Sequence, residues 1–235
     1  MSSHLSAVVV AAGRSERFLR ELSTGGSTQR RAPSKLFVEW HGHPLIRHSL
    51  EALSALPLEQ IALVIRAGDE VVFEEALSGF KHRERIIFVE GGTRRQDSVR
   101  NGLLALTKQE RVLIHDGARP FLDPNFLNRL YEMSLRMDAV IPGLKVVETL
   151  KEVDEAGRVR ATVDRSRFVR VQTPQFFDFK KLLAAHEKFS TSDKEFTDDA
   201  ALMEFCGHDV VVLEGRDENI KVTVPEDLRR VGIHV

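Results

Sequence analysis

The chain has 235 residues, 42% of them hydrophobic, and a formal net charge of −1. That is enough apolar material for a folded α/β domain and excludes a disordered chain, while the near-neutral balance excludes a general electrostatic hold on nucleic acid. The single cysteine, Cys206, excludes an intramolecular disulfide, and no apolar run approaches the roughly 20 residues of a membrane helix.

In chain order, "MSSHLSAVVVAAG" lacks a basic n-region and reads as a first strand, Ala7–Ala11, rather than a signal peptide; the expected location is the cytoplasm. Further strands are predicted at Ile61–Ile65, Ile86–Val89, Val112–Ile114, Ala139–Ile141 and Val210–Leu213. Helices are predicted at Leu45–Ala55, Val71–Leu77, Asp97–Leu106 and Asn125–Arg136. Short Val/Ile-rich runs alternating with amphipathic helices predict one α/β domain over residues 1–235. Its expected architecture is a Rossmann-like, mainly parallel twisted sheet with helices on both faces. Ligands of such sheets bind at the carboxyl ends of the strands.

Two stretches break the alternation. Leu19–Ser34, "LRELSTGGSTQRRAPS", reads as a long loop, either a lid or a tolerated surface insertion. Lys145–Val171 alternates apolar and polar residues (Val146, Thr149 and Leu150, then Val159, Ala161 and Val163) around "DEAG". It predicts an extended hairpin too polar to bury on both faces, a projecting β-arm able to pair with another subunit.

Three strand ends carry the chemistry. "AAGRSERF" ends a strand in small residues, Ala11, Ala12 and Gly13, whose uncovered peptide N–H groups suit phosphate oxygens; Arg14 and Arg17 add charge. It matches neither the P-loop nor the dinucleotide fingerprint, and alone it reads equally as an ordinary turn. "EGGTRRQDSV" is a second glycine turn, with Gly92, Thr93 and Ser98 near a helix start and Arg94 and Arg95 beside them. "VLIHDGARPF" delivers His115, Asp116, Ala118 and Arg119 to a strand end; a packed histidine is the reading for His115, and Arg119 can bind phosphate bidentately. Farther on, Thr173-Pro174 breaks the chain, Thr197 or Asp198 reads as a helix N-cap, and Lys221 is predicted on a short strand.

Taken together, "AAG…R…K", "GGTRRQDSV", "HDGARPF", "VVETLK", "TVDRSRF", "QTPQFF", "FTDDAALME" and "EGRDENIKVTVPEDL" resemble, in this order from Ala7 to Leu228, the 2-C-methyl-D-erythritol 4-phosphate cytidylyltransferases. The resemblance implies transfer of a cytidylyl group from CTP to methylerythritol phosphate with release of pyrophosphate, in non-mevalonate isoprenoid biosynthesis. It implies Arg17, Lys35 and Lys221 as the catalytic cations, and Ala11, Ala12, Gly13, Gly92, Thr93, Ser98 and Ala118 as nucleotide contacts. Asp116, Arg119, Thr149, Arg165, Thr173 and Thr197 are implied as contacts of the second substrate. Mg2+ is expected on the CTP phosphates without a dedicated protein metal site. The arm at about 145–171 is expected to cross to a second subunit, so that Thr149 and Arg165 serve the neighbour's site in a homodimer. Ser15 departs from a frequent glycine and Gly117 from a frequent alanine. Where some members carry an acidic residue the chain has Thr93, which leaves base contacts there to the backbone. The rival acceptor is ribitol 5-phosphate, which would share the nucleotide half and differ around Thr149 and Arg165. From another class, a non-catalytic binding relative is disfavoured by the joint presence of Arg17, Lys35 and Lys221.

Overall fold

In the computed structural model, which describes residues 4–24, 34–107 and 109–233, the opening apolar run is β1 (Leu5–Val10), followed by α1 (Glu16–Thr24). Then come β2 (Glu39–Trp40), β3 (His43–Pro44), α2 (Leu45–Leu53), β4 (Leu58–Ile65), α3 (Glu70–Ala76), β5 (Ile86–Glu90), α4 (Arg95–Ala105), β6 (Arg111–Asp116) and α5 (Pro124–Ser134). The second half holds β7 (Ala139–Lys145), β8 (Leu150–Val153), β9 (Val159–Val163), β10 (Val169–Val171), β11 (Gln175–Asp178), α6 (Phe179–Lys188), α7 (Asp199–Phe205), β12 (Val210–Glu214) and α8 (Pro225–Arg230).

Eight strands form the main sheet, in the order β10-β7-β11-β6-β1-β4-β5 with β12 added beside β7. The pairs β1–β4, β1–β6, β4–β5 and β7–β12 are parallel, and β11 runs antiparallel between β6 and β7. This is the predicted mainly parallel α/β fold. β10 and β11 pair with successive parts of β7, Val169–Val171 against Gly143–Lys145 and Phe176–Phe177 against Ala139–Val140. They are two halves of one antiparallel run, interrupted at the cis Thr173–Pro174 bond.

Strand alternation divides the core. Ala7, Val9, Ile61, Leu63, Ile65 and Leu113 pack on one face with residues of α2, α3 and α5. Val8, Ala62, Val64, Val112 and Ile114 pack on the other with residues of α4, α6 and α7. A third cluster joins distant stretches of chain: Phe18 of α1, Val38 and Leu45, Val222, and Leu228 of α8.

Three predicted details change. Leu19–Thr24, predicted as loop, continues α1: Phe18 is fully buried, and the Leu19 N–H donates to the Ser15 carbonyl, 3.0 Å, in the first turn. The remainder of that predicted loop, up to residue 33, lies outside the described residues. Lys221 lies in an extended segment with no strand pairing, because Val222 is held by burial and by its N–H donating to the Ala118 carbonyl, 2.9 Å. The hairpin predicted over 145–171 is confined to β8 and β9, which form a separate two-stranded sheet turning at Asp154–Gly157. β10, at its predicted end, belongs to the main sheet.

Candidate active site

The carboxyl ends of β1, β4, β5 and β6 open into one cleft of about 840 Å³. Its walls include the turn Ala11–Arg17, Lys35, Gly91–Arg95, Ser98, Asp116, Ala118 and Lys221. Of the residues singled out in the sequence, Arg17, Lys35, Lys221, Ala11, Ala12, Gly13, Gly92, Thr93, Ser98, Asp116 and Ala118 therefore meet at one place. Arg119 and Thr173 lie just beneath it. Thr149, Arg165 and Thr197 are exposed and are not part of its wall.

Each cation is delivered by an apolar neighbour. Arg17 precedes the buried Phe18, Lys35 precedes the buried Leu36, and Lys221 precedes the buried Val222. Phe18 and Val222 share the third cluster, so the packing that joins the two ends of the chain also sets their charges side by side. The Lys35 ammonium donates to the Val222 carbonyl, 2.5 Å, closing the gap between these segments.

The two glycine turns nearly touch. A Cβ on Gly91 would lie 2.6 Å from the Ala12 Cβ, and one on Gly92 would lie 2.4 Å from the Asp97 Cβ, so both positions require glycine. The Gly92 N–H donates to the Ser98 hydroxyl, 3.0 Å. α4 starts at Arg95, two residues earlier than predicted, because the Asp97 carboxylate accepts the Arg94 N–H at 3.1 Å. At the opening motif the left-handed residue is Ser15, φ 55°, rather than Gly13, whose Cβ position faces open space. The Ser15 and Ser34 hydroxyls lie 2.9 Å apart, and Ser34 Oγ also accepts the Leu36 N–H at 3.4 Å.

Asp116 is the electrostatic centre. Its carboxylate meets Lys221 Nζ at 2.7 Å, Arg95 Nε at 3.7 Å and Arg119 Nε at 3.8 Å. Burial works to raise its pKa, but Lys221 first and then Arg95 outweigh it and hold the carboxyl well below the usual carboxylate range. Lys35 moves the other way. Burial, then repulsion from Lys221, lowers its ammonium to about 8, with Asp116 opposing. Arg119 is half-buried and outside the cleft wall, and its Nη1 donates to the Asn219 carbonyl at 2.8 Å. Its Nε has no hydrogen-bond partner among the described residues.

His115 is the packed histidine expected from the sequence. Its Nε2 lies 3.1 Å from the Arg119 carbonyl, which can only accept, so Nε2 carries the hydrogen. Burial lowers its pKa to about 4, so at neutral pH Nδ1 is an acceptor, 3.1 Å from the Thr173 hydroxyl. Thr173 Oγ1 in turn accepts the Asp116 N–H at 3.1 Å. Thr173 thus orients Asp116 from below. Sequence reasoning gave Arg95 only a general charge and missed its partner. Arg95 Nη1 lies 2.8 Å from the buried Asp199, which in turn accepts from His186 Nε2 at 3.0 Å. Asp199 stands 104 residues after Arg95, and no local pattern joins them.

The Ala11 N–H, expected to be uncovered, donates to the Val64 carbonyl at 2.7 Å, and the Gly91 N–H to the Ile65 carbonyl at 2.8 Å. Small-residue turns beside a cluster of cations still suit a substrate that arrives as a polyanion and leaves as a smaller one. That defines a nucleotidyltransferase cleft on a Rossmann-like sheet. The sequence model of the IspD family, 2-C-methyl-D-erythritol 4-phosphate cytidylyltransferase, matches residues 5–234. The chain belongs to this family, and so to the cytidylyltransferases.

A 2-C-methyl-D-erythritol 4-phosphate cytidylyltransferase of Geobacillus thermodenitrificans is 39% identical over 223 residues, 94% of this chain and 92% of that protein. A bifunctional IspD/IspF enzyme of Bartonella henselae is 37% identical over 98% of this chain but only 56% of its own length, so the chain spans about half of that relative. Among solved structures, 4-diphosphocytidyl-2C-methyl-D-erythritol synthase of Anaerococcus prevotii superposes with a TM-score of 0.82 at 31% identity, covering 97% of this chain and 96% of that one.

Proposed function

We infer that the cleft catalyses attack of the phosphate of 2-C-methyl-D-erythritol 4-phosphate on the α-phosphorus of CTP. A new P–O bond forms, the α–β anhydride bond breaks, and the products are 4-diphosphocytidyl-2-C-methyl-D-erythritol and pyrophosphate. The observation that carries this reading is the convergence of Arg17, Lys35 and Lys221 on the two glycine turns.

The acceptor needs no protein base. A phosphomonoester has a second pKa of about 6 and is largely dianionic at neutral pH. The barrier lies in bringing that dianion onto a triphosphate, so positioning and charge stabilisation supply the catalysis. Arg17, Lys35 and Lys221 are assigned to the phosphates. Ala11, Ala12, Gly13 and Ala118 are assigned to the nucleotide's phosphate and ribose side, and Gly92, Thr93 and Ser98 to the cytosine edge. Asp116, held ionised, is assigned to the acceptor.

Mg2+ is assigned to the triphosphate oxygens. Asp116, a carboxylate in the cleft wall, is already engaged by Lys221, Arg95 and Arg119, which supports this assignment. When bound, the ion would neutralise triphosphate charge, alongside Arg17, Lys35 and Lys221.

The remaining acceptor contacts are assigned across a homodimer. Thr149 and Arg165 lie in an exposed region together with Val147, Val153, Val159, Phe168, Val169 and Val171, all of which leave apolar surface in water. A second copy of the chain would cover that surface and bring Thr149 and Arg165 to its own cleft, completing the site there with Thr197. A cytoplasmic location accompanies this reading, since CTP is drawn from that pool. Among the described residues no helix is long and apolar enough to cross a membrane.

Pyrophosphate release with CTP and a panel of polyol phosphates is the test. Turnover is expected with 2-C-methyl-D-erythritol 4-phosphate. Turnover with ribitol 5-phosphate instead, or with neither, would overturn the assignment.

A further inference from the structure

A chain of alternating charge runs from the cleft into the protein. Lys221 meets Asp116, Asp116 meets Arg95, Arg95 meets Asp199, and Asp199 meets His186. The side chains of Asp199 and His186 are 1% and 3% exposed, whereas that of Arg95 keeps 28% of its surface in the cleft wall. The members come from separate elements: Asp116 ends β6, Arg95 opens α4, Asp199 opens α7 and His186 lies in α6. The start of α7 is itself pinned. Asp198 accepts the Ala201 N–H at 2.9 Å as N-cap, and Gln175 of β11, the neighbour of β6, donates to its other oxygen at 2.8 Å.

We propose that Arg95 is a positioning residue of the transfer reaction: anchored on the buried Asp199–His186 pair, it fixes the Asp116 carboxylate and ties the nucleotide turn to the acceptor side of the cleft. A guanidinium suits this role because its N–H groups point in different directions, so one side chain can hold two carboxylates on different elements. A lysine offers a point charge and can serve only one of them well. Burial opposes charge on Asp199, but Arg95 and then His186 outweigh it and hold the carboxyl down to about 2; the anchor is ionised at every working pH. An ion pair serving stability alone would not need Arg95 in the cleft wall, facing the same carboxylate that Lys221 grips.

The inference rests on the transfer reading above, so wild-type turnover with methylerythritol phosphate is measured first; its absence would count against that reading, and the role of Arg95 would fall with it. Given turnover, Arg95→Lys is expected to lower kcat/KM for the acceptor by about 10–100-fold while KM for CTP stays within about threefold. In an Asp116→Asn background the same change is expected to cost less than about threefold more, because its target is already lost. Asp199→Asn should reproduce the acceptor defect, with thermal unfolding reporting its stability separately. If Asp199→Asn fails to fold, Arg95→Lys, which keeps the charge on a partly exposed side chain, still decides. Full multiplication of the Arg95→Lys and Asp116→Asn losses, an equal rise in KM for CTP, or no effect of Arg95→Lys would each overturn the proposal.

Discussion

The cleft and the hairpin solve opposite problems. In the cleft, charges are crowded and partly desolvated: Asp116 touches three cations, and Lys35 is shifted to about 8 by burial and by Lys221. Along β8, β9 and the turn to β10, charges stand in water. Arg158 and Arg160 both pair with Asp154 at the surface, and Arg165 donates to the Val147 carbonyl. The first arrangement is complete within one chain, since packing of Phe18, Leu36 and Val222 fixes its cations before any ligand binds. The second has side chains fit for a substrate, and Thr149 and Arg165 stand outside the cleft wall. On the reading proposed above, catalytic charge belongs to the fold, and acceptor recognition is shared between Asp116 in the cleft and the assembly.

The sharpest way to break this contrast is to remove a cleft cation. Lys221→Ala or Lys35→Ala is expected to lower kcat by about 10²–10³-fold, the usual loss for a group aimed at developing transition-state charge. Lys221→Ala also leaves Asp116 with only Arg95 and Arg119, so both variants should be compared by thermal unfolding. Near-normal turnover in both folded variants would end the charge-stabilisation account.

The hairpin should respond differently. Arg165→Ala is expected to raise KM for the acceptor by about tenfold or more while leaving KM for CTP nearly unchanged. A loss confined to CTP binding would mean that the arm is misassigned. Mixing an Arg17→Ala chain with an Arg165→Ala chain separates action in cis from action in trans. If the arm serves a partner, each mixed dimer rebuilds one intact site, and random exchange restores about a quarter of wild-type activity. No recovery despite demonstrated subunit exchange would place the arm's residues in their own chain's site.

The same contrast explains what was legible in the sequence. The alternating strands and helices were readable because period-2 and period-3.6 patterns are local. So were the glycine turns and the lysines, each beside an apolar anchor. β11 was missed: "QFFD" is short, follows a proline and pairs antiparallel with strands far away in sequence. Lys221 was placed on a strand because Val222 and Val224 alternate, yet Val222 is held by the third cluster rather than by a ladder. The Arg95–Asp199–His186 connection joins three helices through side chains alone, and no periodicity encodes that. Thr173, read from the sequence as a substrate contact, also has a partner no local pattern announces: its hydroxyl accepts the Asp116 N–H and meets His115 Nδ1.

A smaller effect should appear in the pH profile. With Lys35 near 8 in the free protein, its positive charge is present below that value and is lost as pH rises through it. Because kcat/KM for CTP reports the free enzyme, it should fall by up to about tenfold between pH 7 and pH 9. Lys35→Arg keeps its charge throughout, so its profile should flatten whatever its absolute rate. An unchanged decline in Lys35→Arg would assign the titration to another group. Hairpin variants such as Arg165→Ala should keep the wild-type midpoint.

The smallest effect is expected where the cleft's backbone is strained. Ser15 sits at φ 55°, a conformation that costs a residue with a Cβ about 1 kcal/mol relative to glycine. Its hydroxyl meets that of Ser34, which also caps the turn carrying Lys35. Ser15→Gly relieves the strain but removes the link between the segments bearing Arg17 and Lys35. The two terms are of similar size, so stability should change by less than about 1 kcal/mol in urea unfolding. KM for CTP should nevertheless rise about two- to fivefold, because the free chain must then order both segments on binding. Ser15→Ala separates the terms, since it keeps the strain and loses the link. If Ser15→Ala and Ser15→Gly bind CTP as tightly as the wild type, the cations are placed by the Phe18–Val222 packing alone.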